Sequence, residues 1–423
     1  MDTFVRKLKM IAEDTSLRNR VLFVLGALVI FRLLANIPIP AAAGQDLSAL
    51  LANNQALGFL NIITGGGLSA VSVVMLGVGP YITGSIIIQL LQMMSPKIKA
   101  MYNDEGEAGR QKLTQYSRLL TVPLALVQGF GLIIYLQKQG IILGLSPFEM
   151  LTNVIIVTAG SVLLTWIGEL ISEFGIGNGV SLIIFSGIVS RLPSALGQLA
   201  YTFDVSQVPV YAGAVIAMIF VIVAVVYMTE AERPVPITYA KQVHGGRTTG
   251  GGSTYLPLRV NQAGVIPIIF ALSILTFPTL IANALASMAH GTMQAFALFI
   301  QSSLSNAWIN GTLYFALVFI FTYFYTAVTF DPESIATNLQ KNGAFIPGIR
   351  PGTHTAEYLS KILTRITLSG AVFLGAIAVL PLIMQSLTNI QSLTIGGTAL
   401  LIVVSVVIEL VKKIDAQITM REY

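Results

Sequence analysis

The sequence predicts an all-α integral membrane protein with ten transmembrane helices, and three observations support that fold class. Of its 423 residues, 54% are hydrophobic and only 10% are charged, whereas about a quarter of the residues of a soluble domain are charged. The mean hydropathy is +0.78. Charge is absent from residues 47–96, 205–229, 260–330 and 366–408. A chain with such long uncharged stretches has lipid as its main solvent.

A transmembrane helix needs about 20 mostly apolar residues to cross the hydrocarbon core of a bilayer. Ten segments meet that condition, with Gly, Pro, Asn and charged residues marking the breaks between them. They are 19–37, 72–95, 115–137, 151–172, 179–197, 209–229, 262–286, 308–330, 362–386 and 396–412. The fifth segment is the weakest of these, because Gly179, Gly187 and Pro193 dilute its apolar character.

The distribution of basic residues predicts the orientation of the chain. Twenty-one of the 24 Lys and Arg residues lie in the two tails and in the connections 96–118, 230–261 and 331–365. Cytoplasmic segments are enriched in basic residues, so we expect both termini to be cytoplasmic. Residues 1–43 resemble a signal peptide, but Arg32 interrupts the apolar region, and we expect the segment to be retained.

The sequence offers no catalytic or metal-binding constellation. It has no Cys, and its three His are far apart, at positions 244, 290 and 354. The glycines at 245–246 and 250–252 lack the Gly-Lys-Ser/Thr of a phosphate-binding loop, so we expect a flexible loop there. We therefore predict neither enzyme activity nor a cofactor. Only Arg32 is charged well inside a span, where snorkelling or helix capping explains it.

The segment 57–71 is apolar but too short to cross the membrane, and it directly precedes a predicted span. Its three consecutive glycines, 65–67, leave it little intrinsic helix stability. Two interpretations stay open, namely an amphipathic helix on the membrane surface and a mobile re-entrant segment.

The long connection 331–361 contains FIPGIRPG at 345–352. Its two prolines and two glycines favour a stiff, non-helical tip around Arg350. An exposed arginine on a stiff loop suits docking to a protein or to nucleic-acid phosphate. The connection 230–261, with Lys241 and Arg247, is its companion. The alternative is surface charge that only fixes the topology.

Gln89 and Asn261 place amide groups at or near the ends of spans, where an amide without a partner is costly. They form either an ordinary hydrogen bond between helices or a polar seam that can open.

Seven blocks of sequence, taken in order, are typical of one family. They are FRLLANIPIP (31–40), TGGGLSAVSVVMLGVGPYITGSIIIQLL (64–91), EGEAGRQKLTQYSR (105–118), GIGNGVSLIIF (175–185), LPLRVNQAGVIPIIF (256–270), NGAFIPGIRPG (342–352) and GGTALLIVV (396–404). Through them the chain, from about Arg18 to Leu410, resembles the SecY/Sec61-alpha family, whose bacterial members form the centre of a protein-conducting channel. The resemblance implies two pseudo-symmetric inverted halves of five helices each, with a short re-entrant plug.

The resemblance also implies how the chain is divided. Residues 1–18 form a cytoplasmic N-terminal tail, and residues 19–197 form the first half, helices 1–5, with the plug at 57–71. Residues 198–413 form the second half, helices 6–10, with cytoplasmic loops 230–261 and 331–361. Residues 414–423 form a cytoplasmic C-terminal tail.

Roles for individual residues follow from the same resemblance. The second and seventh helices face each other as a lateral gate toward lipid. The pore ring falls on Val78, Ile82, Ile184, Ile269 and Ile402. The centre of the plug falls on Ile63, Thr64, Gly65, Gly66, Gly67 and Leu68. The polar cluster of the gate falls on Gln89, Ser117 and Asn261, and the docking positions for the SecA ATPase or the ribosome fall on Arg350, Arg247 and Lys241.

Two positions depart from the family pattern. Val78 is smaller than the isoleucine often found in the ring, and Gly246 precedes Arg247 where many members have two adjacent basic residues. The spacing of the ring residues would not identify them among so many Ile and Val side chains.

The function implied by the resemblance is translocation of unfolded polypeptides across the bacterial cytoplasmic (inner) membrane, with lateral release of transmembrane segments into lipid. The implied partners are SecE, SecG, the SecA ATPase, translating ribosomes, and secretory and membrane-protein precursors; membrane lipid surrounds the channel, and no direct DNA binding is expected. The alternative is a multi-pass small-solute secondary transporter. That class would require charged or polar groups near the membrane midplane, which the spans lack.

Overall fold

The structure is a computed structural model. It describes residues 13–42, 61, 64–142, 144–190, 193, 197, 208–240, 242–244, 247–249, 252–288, 292–388 and 396–422. Most of these residues are helical. The helices are α1 (Thr15–Ala35), α2 (Gly79–Met94), α3 (Pro96–Asp104), α4 (Gly106–Lys138), α5 (Pro147–Phe174), α6 (Gly179–Val189), α7 (Val208–Glu230), α8 (Ile266–Met288), α9 (Thr292–Ser305), α10 (Ala307–Thr329), α11 (Pro332–Lys341), α12 (Thr353–Thr388) and α13 (Gly396–Glu422).

Five helices within the described ranges are long and apolar enough to cross a membrane by length and composition. They are Gly106–Lys138, Pro147–Phe174, Tyr211–Glu230, Trp308–Lys341 and Thr353–Ile383. Gly179–Val189 and Ile266–Leu275 are shorter apolar helices. Several membrane-spanning candidates are therefore present, and the count of ten spans stays a prediction.

Polar side chains just before the first turn define where α1 and α5 begin. Asp14 Oδ1 accepts hydrogen bonds from the backbone N–H of Ser16 at 2.8 Å and of Leu17 at 3.2 Å, which caps α1. At α5, the N–H of Glu149 donates to Ser146 Oγ at 3.3 Å, and the N–H of Ser146 donates to Glu149 Oε2 at 2.8 Å. This reciprocal capping box satisfies two helix-terminal donors. The hydrogen bonds from Ser146 also lower the pKa of the Glu149 carboxyl.

The second predicted span, 72–95, begins too early. Residues 64–78 form successive turns, apart from an isolated β-bridge between Ser72 and Pro38, and α2 starts only at Gly79. Gly77 has a φ of 56° and Val71 a φ of 45°, both in the left-handed region, which a right-handed helix cannot include. The turns are as apolar and as buried as a helix would be, which is why composition did not separate them from the span.

The connections 230–261 and 331–361 contain regular structure that the sequence did not predict. Strands β1 (Glu232–Tyr239), β2 (Gln242–His244), β3 (Arg247–Thr249), β4 (Ser253–Arg259) and β5 (Ala344–Phe345) lie within them. Strands β4, β1 and β5 form one sheet in that order, with Glu232 opposite Arg259 and Thr238 opposite Phe345. Because β5 belongs to the second connection, one antiparallel sheet joins both. Strand β3 also replaces part of the flexible loop expected at 245–252.

Four buried clusters hold these elements together. The largest is central and collects apolar side chains from α1, α2, α5, α6, α7, α8, α10, α12 and α13. A smaller cluster beneath the sheet contains Val235, Leu258, Ile346, Leu359 and Ile362, so it packs the sheet against α12. Another, with Leu17, Ile176 and Ile418, packs α13 near α1. Helix α13 continues through the predicted tail 414–423 as far as Glu422.

Candidate functional site

Five aliphatic side chains from four separate elements are buried in the central cluster. Val78, Ile82, Ile184, Ile269 and Ile402 all belong to it. Each is at most 6% exposed. They come from the start of α2, from α6, from α8 and from α13. The elements are far apart in sequence, so the fold brings together side chains that no local spacing would connect.

The glycine-rich turn, residues 64–78, lies directly against this cluster. Gly65 has a φ of 69°, and a Cβ at this position would lie 2.5 Å from Phe31 Cζ and 3.4 Å from the carbonyl oxygen of Ile183. A Cβ on Gly187 of α6 would overlap the Cα of Gly65. The turn therefore occupies a seat formed by Phe31, Ile183 and Gly187, which has room for a backbone but for no side chain.

Hydrogen bonds hold the described part of this turn in place. The N–H of Gly66 donates to the carbonyl of Asn61 at 2.9 Å, and the N–H of Ser72 donates to the carbonyl of Gly67 at 3.0 Å. Thr64 and Leu68 are fully buried. Of the two open interpretations, the buried turns at 64–71 match a re-entrant segment and not a surface helix. Ile63 lies outside the described residues.

The far end of the turn is anchored on α5. Ser161 Oγ donates to the carbonyl of Gly77 at 2.8 Å. A Cβ on Gly160, one residue earlier, would overlap the carbonyl oxygen of Val73. The turn and α5 are thus in backbone contact, and the hydroxyl of Ser161 fixes the residue that precedes Val78.

Gln89 is half-buried on α2 and Ser117 is buried on α4, which contacts α2, whereas Asn261 is buried in the bend that precedes α8. Ser117 Oγ donates to its own helix, to the carbonyl of Leu113 at 3.1 Å. Asn261 Nδ2 donates to the carbonyl of Gly264 at 3.3 Å. The buried Oε1 of Gln89 and Oδ1 of Asn261 have no hydrogen-bond partner among the described residues. The structure thus brings α2, α4 and α8 into contact, and within the described residues it shows no hydrogen bond between these three side chains.

Arg350 lies on an exposed, non-helical tip, as the sequence predicts for 345–352. Gly348 and Gly352 on either side have φ values of 81° and 98°. The carbonyl of Arg350 accepts a hydrogen bond from Thr355 Oγ1 at 2.9 Å, which fixes the tip to the start of α12. Arg247 is in β3, opposite His244, and Lys241 lies outside the described residues.

Carboxylates at the ends of the predicted spans pair with cations. Arg118 Nε lies 2.5 Å from Glu169 Oε1. Lys413 lies 2.7 Å from Glu409, one turn away on α13, and Lys412 lies 2.8 Å from Glu230. Within the described ranges, no group of three or more His, Cys, Asp or Glu residues could hold a metal ion. These acidic groups are arranged as ion pairs and not as a binding site.

Three residues near the turn were not anticipated as partners of the site. Phe31 and Gly187 form the seat, and Ser186 accepts hydrogen bonds from Arg32. The order of residues in the chain gives no signal for these contacts, because they join α1, α6 and the turn.

The fold and the site define a class of protein, namely a multi-pass helical membrane protein with a buried apolar cluster beside a glycine-rich turn. Comparison with known proteins identifies the family. The model of the SecY family matches residues 72–411. Protein translocase subunit SecY of Streptomyces scabiei is 42% identical over 432 residues, with 97% of each chain covered. That of Mycobacterium leprae is 40% identical over 433 residues, again with 97% of each covered. The chain therefore belongs to the SecY family.

Solved structures agree on the fold. A structure described as that of a protein conducting channel matches with a TM-score of 0.67 at 20% identity, covering 94% of this chain and 91% of the other. Sec61 in the canine ribosome-channel complex from the endoplasmic reticulum matches with a TM-score of 0.64 at the same identity and coverage. The predicted family and helical membrane fold are confirmed. The transporter alternative is not supported.

Proposed function

We propose that this chain is the channel subunit of a protein translocase, through which unfolded polypeptides cross the membrane and from which apolar segments leave sideways into lipid. The observation that carries the proposal is the contact between turn and constriction. The seat of Gly65 includes Ile183, next to Ile184 of the ring, and Gly77, next to Val78 of the ring, packs on Thr64. The turn therefore lies beside Ile184 of α6 and runs directly into Val78 of the ring.

The chemistry of the ring suits a channel that stays closed to ions at rest. Aliphatic side chains offer water no hydrogen bonds, so a narrow aliphatic constriction dewets and blocks ions. The same side chains make no specific demand on a passing polypeptide. The turn has weak helix propensity, which favours its displacement when a chain enters. In this role it is the plug, with the described centre Thr64, Gly65, Gly66, Gly67 and Leu68.

The gate for lateral release is the interface between α2 and α8, which are in contact. An apolar helix of a precursor that enters this interface gains about 0.3–0.6 kcal/mol for each central Leu-like residue on moving into lipid. In this proposal Gln89 of α2, Ser117 of α4 and Asn261, just before α8, form the polar cluster of the gate. Polar groups with unsatisfied atoms weaken a closed interface and so favour its opening.

We place the chain in the bacterial cytoplasmic membrane with both termini in the cytoplasm, because most basic residues lie on that side. The chain hydrolyses nothing itself, and the energy comes from the SecA ATPase, the translating ribosome or the membrane potential. SecE and SecG are the proposed partner subunits. SecA or the ribosome docks on Arg350, Arg247 and Lys241, where the stiff tip presents the Arg350 guanidinium to solvent.

The test measures transport of a secretory precursor into vesicles that contain this chain with SecE and SecG, driven by SecA and ATP. Protection of the precursor from external protease reports transport. We expect Arg350→Glu to lower the initial rate by about ten-fold or more, as loss of a central docking arginine does. Lys361→Glu is the matched control, since Lys361 is also exposed and the charge change is the same.

Two results would contradict parts of the proposal. Equal rates for native protein and Arg350→Glu would remove the docking role and leave the channel intact. No transport by a native complex that is assembled, with a motor of proven activity, would overturn the channel function itself.

A further inference from the structure

Arg32 connects two helices whose neighbouring residues form the seat of the plug. It lies in the last turn of α1. Its Nη2 donates to the carbonyl of Ser186, and its Nε lies 3.4 Å from Ser186 Oγ, in the last turn of α6. The carbonyl of Ser186 also accepts from the N–H of Ser190 at 3.1 Å. A guanidinium has enough donors for such a fork, and its charge is never lost.

The position of this charge favours the link between the helices. The carboxyl ends of helices carry partial negative charge. Arg32 lies at the carboxyl end of its own helix and reaches the carboxyl end of α6, so one cation complements both ends. A side chain that only reached for the membrane surface would not need a carbonyl of a second helix. The geometry therefore favours an inter-helix bridge over the snorkelling or capping expected from sequence.

The residues beside the bridge are the walls of the seat. Phe31 precedes Arg32 and is fully buried, with its ring against Gly65. The guanidinium carbon of Arg32 lies 4.8 Å from the centroid of that ring, a cation–π distance. Gly187 follows Ser186 and packs on the backbone of Gly65. Arg32 thus contacts the ring of Phe31 directly, and its hydrogen bonds to Ser186 fix α6, which carries Gly187.

We propose that Arg32 is a positioning residue for the plug. Its bridge to Ser186 sets the distance between Phe31 and Gly187, and so keeps the turn around Gly65 seated in the resting channel. This inference rests on the proposed channel function. Without the bridge, α1 and α6 separate more easily at this end, and the turn leaves its seat more often.

The experiment reads the position of the plug directly. The natural chain has no cysteine, so Ala70→Cys, at a half-buried position in the turn, provides a single thiol. Labelling by a membrane-impermeant maleimide is measured in the complex with cysteine-free SecE and SecG, in vesicles without precursor. On this background Arg32→Leu removes the bridge, Arg32→Lys keeps the charge without the planar fork, and Gly26→Ala is the control on α1, where an added Cβ meets no atom within 4 Å.

We expect Arg32→Leu to raise the labelling rate by about ten-fold, the range expected for loss of a charge-assisted hydrogen bond. Arg32→Lys should give a smaller increase, and Gly26→Ala none. A second readout separates positioning from general destabilisation. A looser plug raises transport of a precursor with a weakened signal sequence relative to one with an intact signal, whereas a damaged channel lowers transport of both.

Unchanged labelling in an assembled Arg32→Leu complex would overturn the proposal, as would equal loss of transport for both precursors. If Arg32→Leu does not assemble, the same comparison with Arg32→Lys decides. Failure of the channel function is recognised separately, because the complex with native Arg32 would then transport no precursor, whatever the labelling rates.

Discussion

Single glycines determine how closely the turn at 64–78 approaches the helices around it. Gly65 adopts a φ of 69° and packs on Gly187. At the other end of the turn, Gly160 of α5 lies against the backbone of Val73. These are contacts between backbones, so they cannot adjust by rotation of a side chain. Glycine is required here by space and, at Gly65, also by conformation.

A substitution at Gly160 tests this packing. In Gly160→Ala the added methyl group would overlap the carbonyl oxygen of Val73, and the backbone must move to relieve it. We expect the free energy of unfolding to fall by about 1–3 kcal/mol, as for overpacked cores. The midpoint of thermal denaturation of the detergent-solubilised complex measures the change. Gly26→Ala, in open space on α1, should leave it unchanged or slightly raised, and equal midpoints for both variants would refute the packing argument.

At this scale, the sequence predicts some residues of the site and misses others for a clear reason. The resemblance to a family assigns the five ring residues, and the structure places them in one buried cluster. Their identities alone would not have selected them. Phe31, Ser186 and Gly187 have ordinary identities for a membrane helix, and their importance lies in contacts between distant segments. Such contacts follow from the packing of α1 and α6 on the turn, which no local pattern records.

The element with the most clearly defined start is α5, whose capping box joins Ser146 and Glu149. Glu149 accepts its hydrogen bond as a carboxylate, which is why its pKa is lowered. A lowered folded-state pKa means that the carboxylate stabilises the fold above its unfolded-state pKa. That stabilisation is lost as the pH falls through the folded-state pKa.

The pH dependence of a Glu149→Gln variant tests this cap. We expect the variant to have a lower thermal denaturation midpoint than the native complex at neutral pH. The difference between the two midpoints should narrow as the pH falls below about 4. Thermal denaturation over a pH series measures it. Glu173→Gln, at the opposite end of α5, should show no loss at neutral pH, because a carboxylate at a helix C-terminus is unfavourable. If the midpoint difference between Glu149→Gln and the native complex is constant with pH, an ionic contribution to the cap is excluded.

The long apolar helices could be predicted from the sequence, whereas the irregular turns and the strands with distant partners could not. The long helices α4, α5, α10 and α12 each contain a predicted span almost entirely. The start of α2 was misplaced because the turns at 64–78 are as apolar as a span. The strands were missed because Pro234 and Pro236 make β1 look like a loop. Strand β5 has only two residues, and its partner lies about a hundred residues earlier in the chain.

On the scale of the whole molecule, the interface of α8 with α2 and α4 is one of the places where the two predicted halves meet. The buried Oε1 of Gln89 has no partner among the described residues. An unsatisfied buried polar atom costs about 1–3 kcal/mol. This cost is borne by α2, one of the two helices of the proposed gate, and in that proposal it favours the opening of the gate during transport.

Removal of the unsatisfied polar group of Gln89 should stabilise the closed channel and slow transport. We expect Gln89→Leu to raise the thermal denaturation midpoint of the complex and to lower precursor transport by about five-fold or more. Gln111→Leu, at an exposed position of α4, is the control and should change neither. A rise in stability without slower transport would mean that this interface does not limit opening.

The sheet β4-β1-β5 has a consequence for how such channels can be recombined. Two connections that are separate in sequence share backbone hydrogen bonds, and Val235 and Leu258 of one pack with Ile346 of the other. They are therefore one exchangeable module and not two. A chimaera that received residues 232–259 from a relative would also have to receive 343–346, since a donor hairpin alone would meet a strand and an apolar surface shaped for a different partner.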